Sequence, residues 1–99
     1  MDEARRRAMD CLREIESAFA NLEVGPNLGE MARIQGLCYS IQVAGSYISD
    51  KKNKLLSLTE DFFSAGKWQK HGPDPRGVRL QIGRTVRSLQ EALATSPPP

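Results

Sequence analysis

Apolar side chains recur at steps of three and four through Ala8, Met9, Leu12, Ile15, Phe19 and Leu22, with charged residues between them. One face of a helix is apolar under such spacing, so the pattern predicts an amphipathic helix over residues 3–22. No Gly or Pro interrupts it, and Val24, Gly25 and Pro26 end it because Pro cannot continue the hydrogen-bond ladder. Asn27 and Glu30 then form an Asn variant of the capping box, which marks a second helix start near Leu28.

The second stripe reads Leu28, Met31, Ile34, Cys38, Ile41, Ile48, Leu55 and Phe62, and its last four members are seven residues apart. Two readings follow. Either one helix of about 57 Å covers residues 28–65, at about 1.5 Å per residue, or helices over 28–49 and 53–65 meet in the polar stretch 50–53, where Asn53 can cap a new start. Residues 65–77 hold Gly66, Gly72, Gly77, Pro73 and Pro75 and predict a loop. Asp74 and Pro75 supply a cap and a first helical residue, and Ile82, Val86, Leu89 and Leu93 trace a final helix over 75–94. The expected architecture is all-α: an up-and-down bundle of three or four helices forming a single domain over residues 1–94, with a flexible Pro-rich tail at 95–99.

The most unusual segment lies between Arg33 and Asp50, where residues 34–49 carry no formal charge. A solvent-facing helix keeps charges on its outer side, so a helix of this composition calls for cover on more than one face. It is too short and too rich in Ser, Gln and Gly to span a membrane. Gly36, Ser40 and Ala44 fall in one row if the segment is helical, and another backbone could approach along that row. The two glycines Gly36 and Gly45 forfeit roughly 2 kcal/mol of helix propensity relative to Ala, a loss that close packing has to offset. Either neighbours within the bundle cover this segment, or a second copy or another protein's helix does. In the second case Leu37, Cys38, Ile41, Ala44, Tyr47 and Ile48 are the expected partner-binding residues.

Charge adds a gradient. Residues 1–30 carry four Arg against seven acids, and residues 66–94 carry six Lys or Arg against Asp74 and Glu91, although the net charge is only +2. Pairing of the first and last helices would neutralise the gradient. A basic face is the other reading, in which Lys67, Trp68, Lys70, Arg76 and Arg79 bind nucleic acid by stacking the ring on a base while the cations meet phosphate. Against this stands the simpler expectation that Trp68 packs over the end of the bundle.

Motifs for catalysis are weak. His71 is the only histidine and falls in the loop beside Lys70 and Gly72, with no helical carboxylate expected opposite it. Cys11 and Cys38 are twenty-seven residues apart and show no zinc-ligand spacing, so no metal and no cofactor is expected. Ser64 and Lys67 have the spacing of a nucleophile and its base without the companion motifs. The charged stretch Met1 to Asp10 has no apolar secretory core, which predicts a cytoplasmic or other reducing compartment and free thiols. The chain therefore reads as a noncatalytic interaction protein, an assembly subunit, adaptor or small chaperone, that binds a helix or a second copy of itself through residues 34–49. A nucleic-acid accessory protein is the alternative.

Overall fold

A computed structural model describes residues 2–95 and shows four α-helices: α1 Glu3–Ala20, α2 Leu28–Tyr39, α3 Ser46–Phe62 and α4 Pro75–Thr95. A 3-10 turn, Lys67–His71, lies between α3 and α4. Residues 96–99, most of the expected tail, lie outside the described residues; Thr95, assigned to that tail, is the last residue of α4.

The helix starts follow local chemistry. The Asp2 carboxylate accepts from the backbone N–H of Arg5 and caps α1, and the Asn27 side chain accepts from the N–H of Glu30 at the head of α2, as the capping pattern predicts. Each bond satisfies one of the N–H groups that a helix leaves open in its first turn. Asp74 accepts from the N–H of Arg76, so Pro75 opens α4 where its missing N–H costs nothing.

Neighbours run antiparallel. Arg5 at the start of α1 donates to the Leu93 carbonyl near the end of α4, and Arg79 near the start of α4 donates to the Phe19 carbonyl at the end of α1. The Gly25 N–H donates to the Phe62 carbonyl, which brings the end of α3 to the same pole as the end of α1. Each helix packs on its two ring neighbours, α1 on α2 and α4, and α3 on the same two. This is the up-and-down bundle that the alternating stripes predict.

The core is one continuous cluster. Leu12 and Ile15 of α1, Ile34 of α2, Leu55 and Phe62 of α3, and Leu89 of α4 are all fully buried within it. At one pole Phe62 meets Phe19 and Phe63 edge-on, with ring centroids 4.9 and 4.8 Å apart.

The long central helix does not form, and the break is not at residues 50–53. Those residues are in the middle of the first half of α3, whereas Ser40 to Gly45 leave the helix. Three features support the break. The Ser40 hydroxyl donates back to the Gly36 carbonyl, Gly45 takes a φ of +136° that L side chains rarely adopt, and Lys52 Nζ donates to the Ile41 carbonyl at 2.8 Å. The seven-residue phase is preserved because Ile41 enters the core from the connection while Ile48, Leu55 and Phe62 enter it from α3. With the chain turned back, α3 lies along α2, and the row of Gly36, Ser40 and Ala44 does not exist as a helical groove.

Candidate functional site

The expected partner-binding residues separate into two groups. Cys38, Ile41 and Ile48 are core residues, with exposures of 0, 1 and 5%. Leu37 is half-buried against the same core. Only Ala44 and Tyr47 stay exposed, and with Ile48, Ala92 and Thr95 they border a shallow depression where the connection passes the end of α4. The protein's own packing covers Ile34, Cys38, Ile41 and Ile48 of the uncharged segment, whereas Gly36, Tyr39, Ser40, Gln42 and Ala44 to Tyr47 stay exposed. The segment comprises the end of α2, the connection and the start of α3.

The expected basic patch is divided: Arg79 and Trp68 turn toward the core, whereas Lys67, Lys70 and Arg76 stay exposed. Arg79 turns inward: its guanidinium donates to the Phe19 and Leu22 carbonyls and lies 5.2 Å from the centre of the Phe62 ring. It adds a donor to the Phe19 carbonyl in the last turn of α1 and to the Leu22 carbonyl just beyond it, and puts a cation at the negative end of the helix dipole. Arg76 pairs with Asp74 at 2.8 Å, and Lys70 lies 3.4 Å from Asp61. Trp68 is half-buried against the core, as its packing alternative predicts. Lys67 remains exposed, with its backbone N–H bonded to the Ser64 hydroxyl.

His71 does face a carboxylate, contrary to the expectation for its loop. Its Nε2 hydrogen-bonds Asp61 Oδ2 at 2.8 Å, and Asp61 is a buried residue of α3. The reason is tertiary: the 3-10 turn folds back over the end of α3 and carries Lys70 and His71 to the same carboxylate. Ser64, the weak nucleophile candidate, donates to the Asp61 carbonyl and accepts from Lys67, so its hydroxyl builds the turn.

Both thiols are buried and free. Burial pushes the Cys38 thiol up to about 12, opposed by the charge of Lys52, and burial followed by nearby Glu14 and Asp10 raises that of Cys11. A thiolate is the nucleophilic form, so neither is set up to attack at neutral pH. Among the described residues no three His, Cys, Asp or Glu side chains group to hold a metal ion. No described helix is long and apolar enough to cross a membrane.

One concavity with an almost wholly apolar lining was not singled out by the sequence reading. It is a largely apolar cleft of about 190 Å³ between α1 and α4, lined by Glu16, Phe19 and Ala20 of α1 and by Arg79, Ile82, Gly83 and Val86 of α4. A Cβ built on Gly83 meets nothing within 4 Å, so this glycine leaves the cleft open. The cleft continues onto a broader surface bordered by Glu16 on α1 and by Leu80, Arg84 and Arg87 on α4. Leu80 is 53% exposed beside it. The available signal was a glycine interrupting a helix between Leu80 and two arginines; its pairing with Glu16 and Phe19 required the helices to be placed side by side.

Compared with known proteins, the chain matches no protein-family model, no curated sequence and no solved structure.

Proposed function

We propose that this protein is a noncatalytic interaction module that receives a helix of another polypeptide in the cleft between α1 and α4. The observation that carries the reading is the open apolar notch at Gly83, with Leu80 exposed at its edge. Two antiparallel helices present a trough into which a third helix can lay an apolar stripe, and a glycine in the trough lets a large side chain enter. Burial of that stripe supplies affinity at roughly 25 cal/mol per Å², reduced by the cost of association. An adaptor or assembly subunit fits this arrangement, and the site moves from residues 34–49 to the opposite pair of helices. The nucleic-acid alternative has less support, because Arg79 is turned inward and Trp68 packs against the core.

The test uses a fluorescein-labelled helical peptide with leucines at i, i+3, i+4 and i+7 and glutamines elsewhere. Saturable binding measured by anisotropy is expected, weakened about tenfold by Gly83→Leu, whose Cβ enters open space and whose side chain occupies the notch. Equal binding by both proteins, with the helical circular dichroism spectrum of Gly83→Leu intact, rejects the cleft as the site.

A further inference from the structure

The two rims of the cleft differ in charge, and the difference specifies what kind of helix fits it. Leu80, Arg84 and Arg87 occur at i, i+4 and i+7 and therefore share one stripe of α4. Arg84 and Arg87 are exposed, and neither has a protein partner among the described residues. They share this with exposed Arg6 and differ from Arg5, Arg7, Arg13, Arg33 and Arg76, each of which is ion-paired with an acid two to four residues away. On the facing rim Glu16 of α1 is the charged group that borders the cleft.

We infer that the occupant is an acidic amphipathic helix of a partner protein, seated with its carboxylates over Arg84 and Arg87 and its apolar stripe against Leu80 and the Gly83 notch. This rests on the proposed interaction role and adds its chemistry and orientation. Guanidinium forks at adjacent turns match carboxylates spaced by three or four residues on an opposing helix. Glu16 disfavours acids on the partner's other flank, so the partner carries its negative charge on one side of the apolar stripe only. Complementary charge also sets which way round a helix docks and speeds its encounter.

Three peptides with the same leucine stripe decide it, flanked on one side by Glu, Gln or Lys, and titrated by anisotropy at low and at high salt. Preference for the Glu peptide over the Lys peptide by about tenfold is expected, shrinking as salt screens the charges and reversing in the Arg84→Glu/Arg87→Glu variant. Equal affinity for all three overturns the charge inference and leaves the cleft reading standing. Preference for the Lys peptide also overturns the inference. Failure of all three to bind overturns both. Light scattering on the protein alone supplies the remaining outcome: a dimer that Gly83→Leu dissociates makes a second copy the occupant and overturns the external partner.

Discussion

His71 Nε2 lies 2.8 Å from Asp61 Oδ2, a bond that ties the 3-10 turn to the end of α3 across ten residues of chain. Asp61 is buried, and its other oxygen is 3.4 Å from Lys70 Nζ, so the turn supplies the partners that its carboxylate needs. His71→Ala leaves a buried acceptor half satisfied and is expected to destabilise the fold by about 1–3 kcal/mol. Trp68, the chain's one tryptophan, lies in the same turn and reports the loss. Its emission should shift to the red in the variant before the helices melt. An unchanged spectrum and an unchanged melting temperature would show that the turn is held by other contacts.

Arg79 closes the pole where α1 ends. Arg79→Ala removes donors from the Phe19 and Leu22 carbonyls and the cation from the Phe62 ring, with an expected loss of about 2–3 kcal/mol. Arg79→Lys keeps the charge near the helix terminus but cannot reproduce the fork, so it recovers only part of the loss. Chemical denaturation of the three proteins measures the order, and a Lys variant as stable as the parent would place the effect in charge alone.

Gly77 and Gly83, six residues apart on α4, are expected to respond to alanine in opposite ways. A Cβ on Gly77 would collide with the backbone carbonyl of His71, which approaches here to make the turn into α4. Gly77→Ala should destabilise by about 1–3 kcal/mol, since backbone atoms must shift to admit the methyl. At Gly83 the space is open and the backbone helical, so Gly83→Ala should stabilise by about 1 kcal/mol through propensity. Melting temperatures that move in the same direction for both would contradict this account.

Cys38 gives the fold an alkaline dependence. Its thiol is pushed up to about 12 when folded, against an ordinary value of 9.0, chiefly by burial. The neutral thiol is favoured by the native state, so this contribution is complete below pH 9 and declines as pH rises toward 12. By pH 10 the unfolded thiol is mostly ionised and the loss is on the order of 1 kcal/mol. Cys38→Ala should therefore show a shallower fall in stability than the parent between pH 9 and 11, by urea denaturation. Parallel pH profiles would place the titrating group elsewhere. At neutral pH a disulfide reagent should modify neither cysteine until the protein opens, because both are buried.

How much was legible in the chain depends on the range over which each feature is decided. The helices α1 and α4 and the caps at Asn27 and Asp74 are set within a few residues, by apolar spacing and by side-chain oxygens that accept from nearby N–H groups. The all-helical class follows from those local signals, and the number of helices does not. The break at Ser40 to Gly45 does not, because Ile41, Ile48, Leu55 and Phe62 keep the same phase in a straight helix and in a folded-back pair. What selects the pair is burial of Ile41 together with a bond from Lys52, eleven residues on, and neither has a local signature.

The candidate site shows the same division. Sequence marked Arg76 and Arg79 of α4 as basic candidates, and it marked residues 34–49 as short of charge. It could not tell an arginine that caps α1 from one left facing solvent, nor an uncharged residue covered by its own chain from one awaiting a partner. Those distinctions depend on which groups lie across the helix boundary, Phe19 opposite Arg79 and Glu16 across the cleft from Arg84, and only the packed bundle brings them together. Periodicity fixes which face of a helix seeks cover; the arrangement of four such faces decides what is still uncovered when they have met.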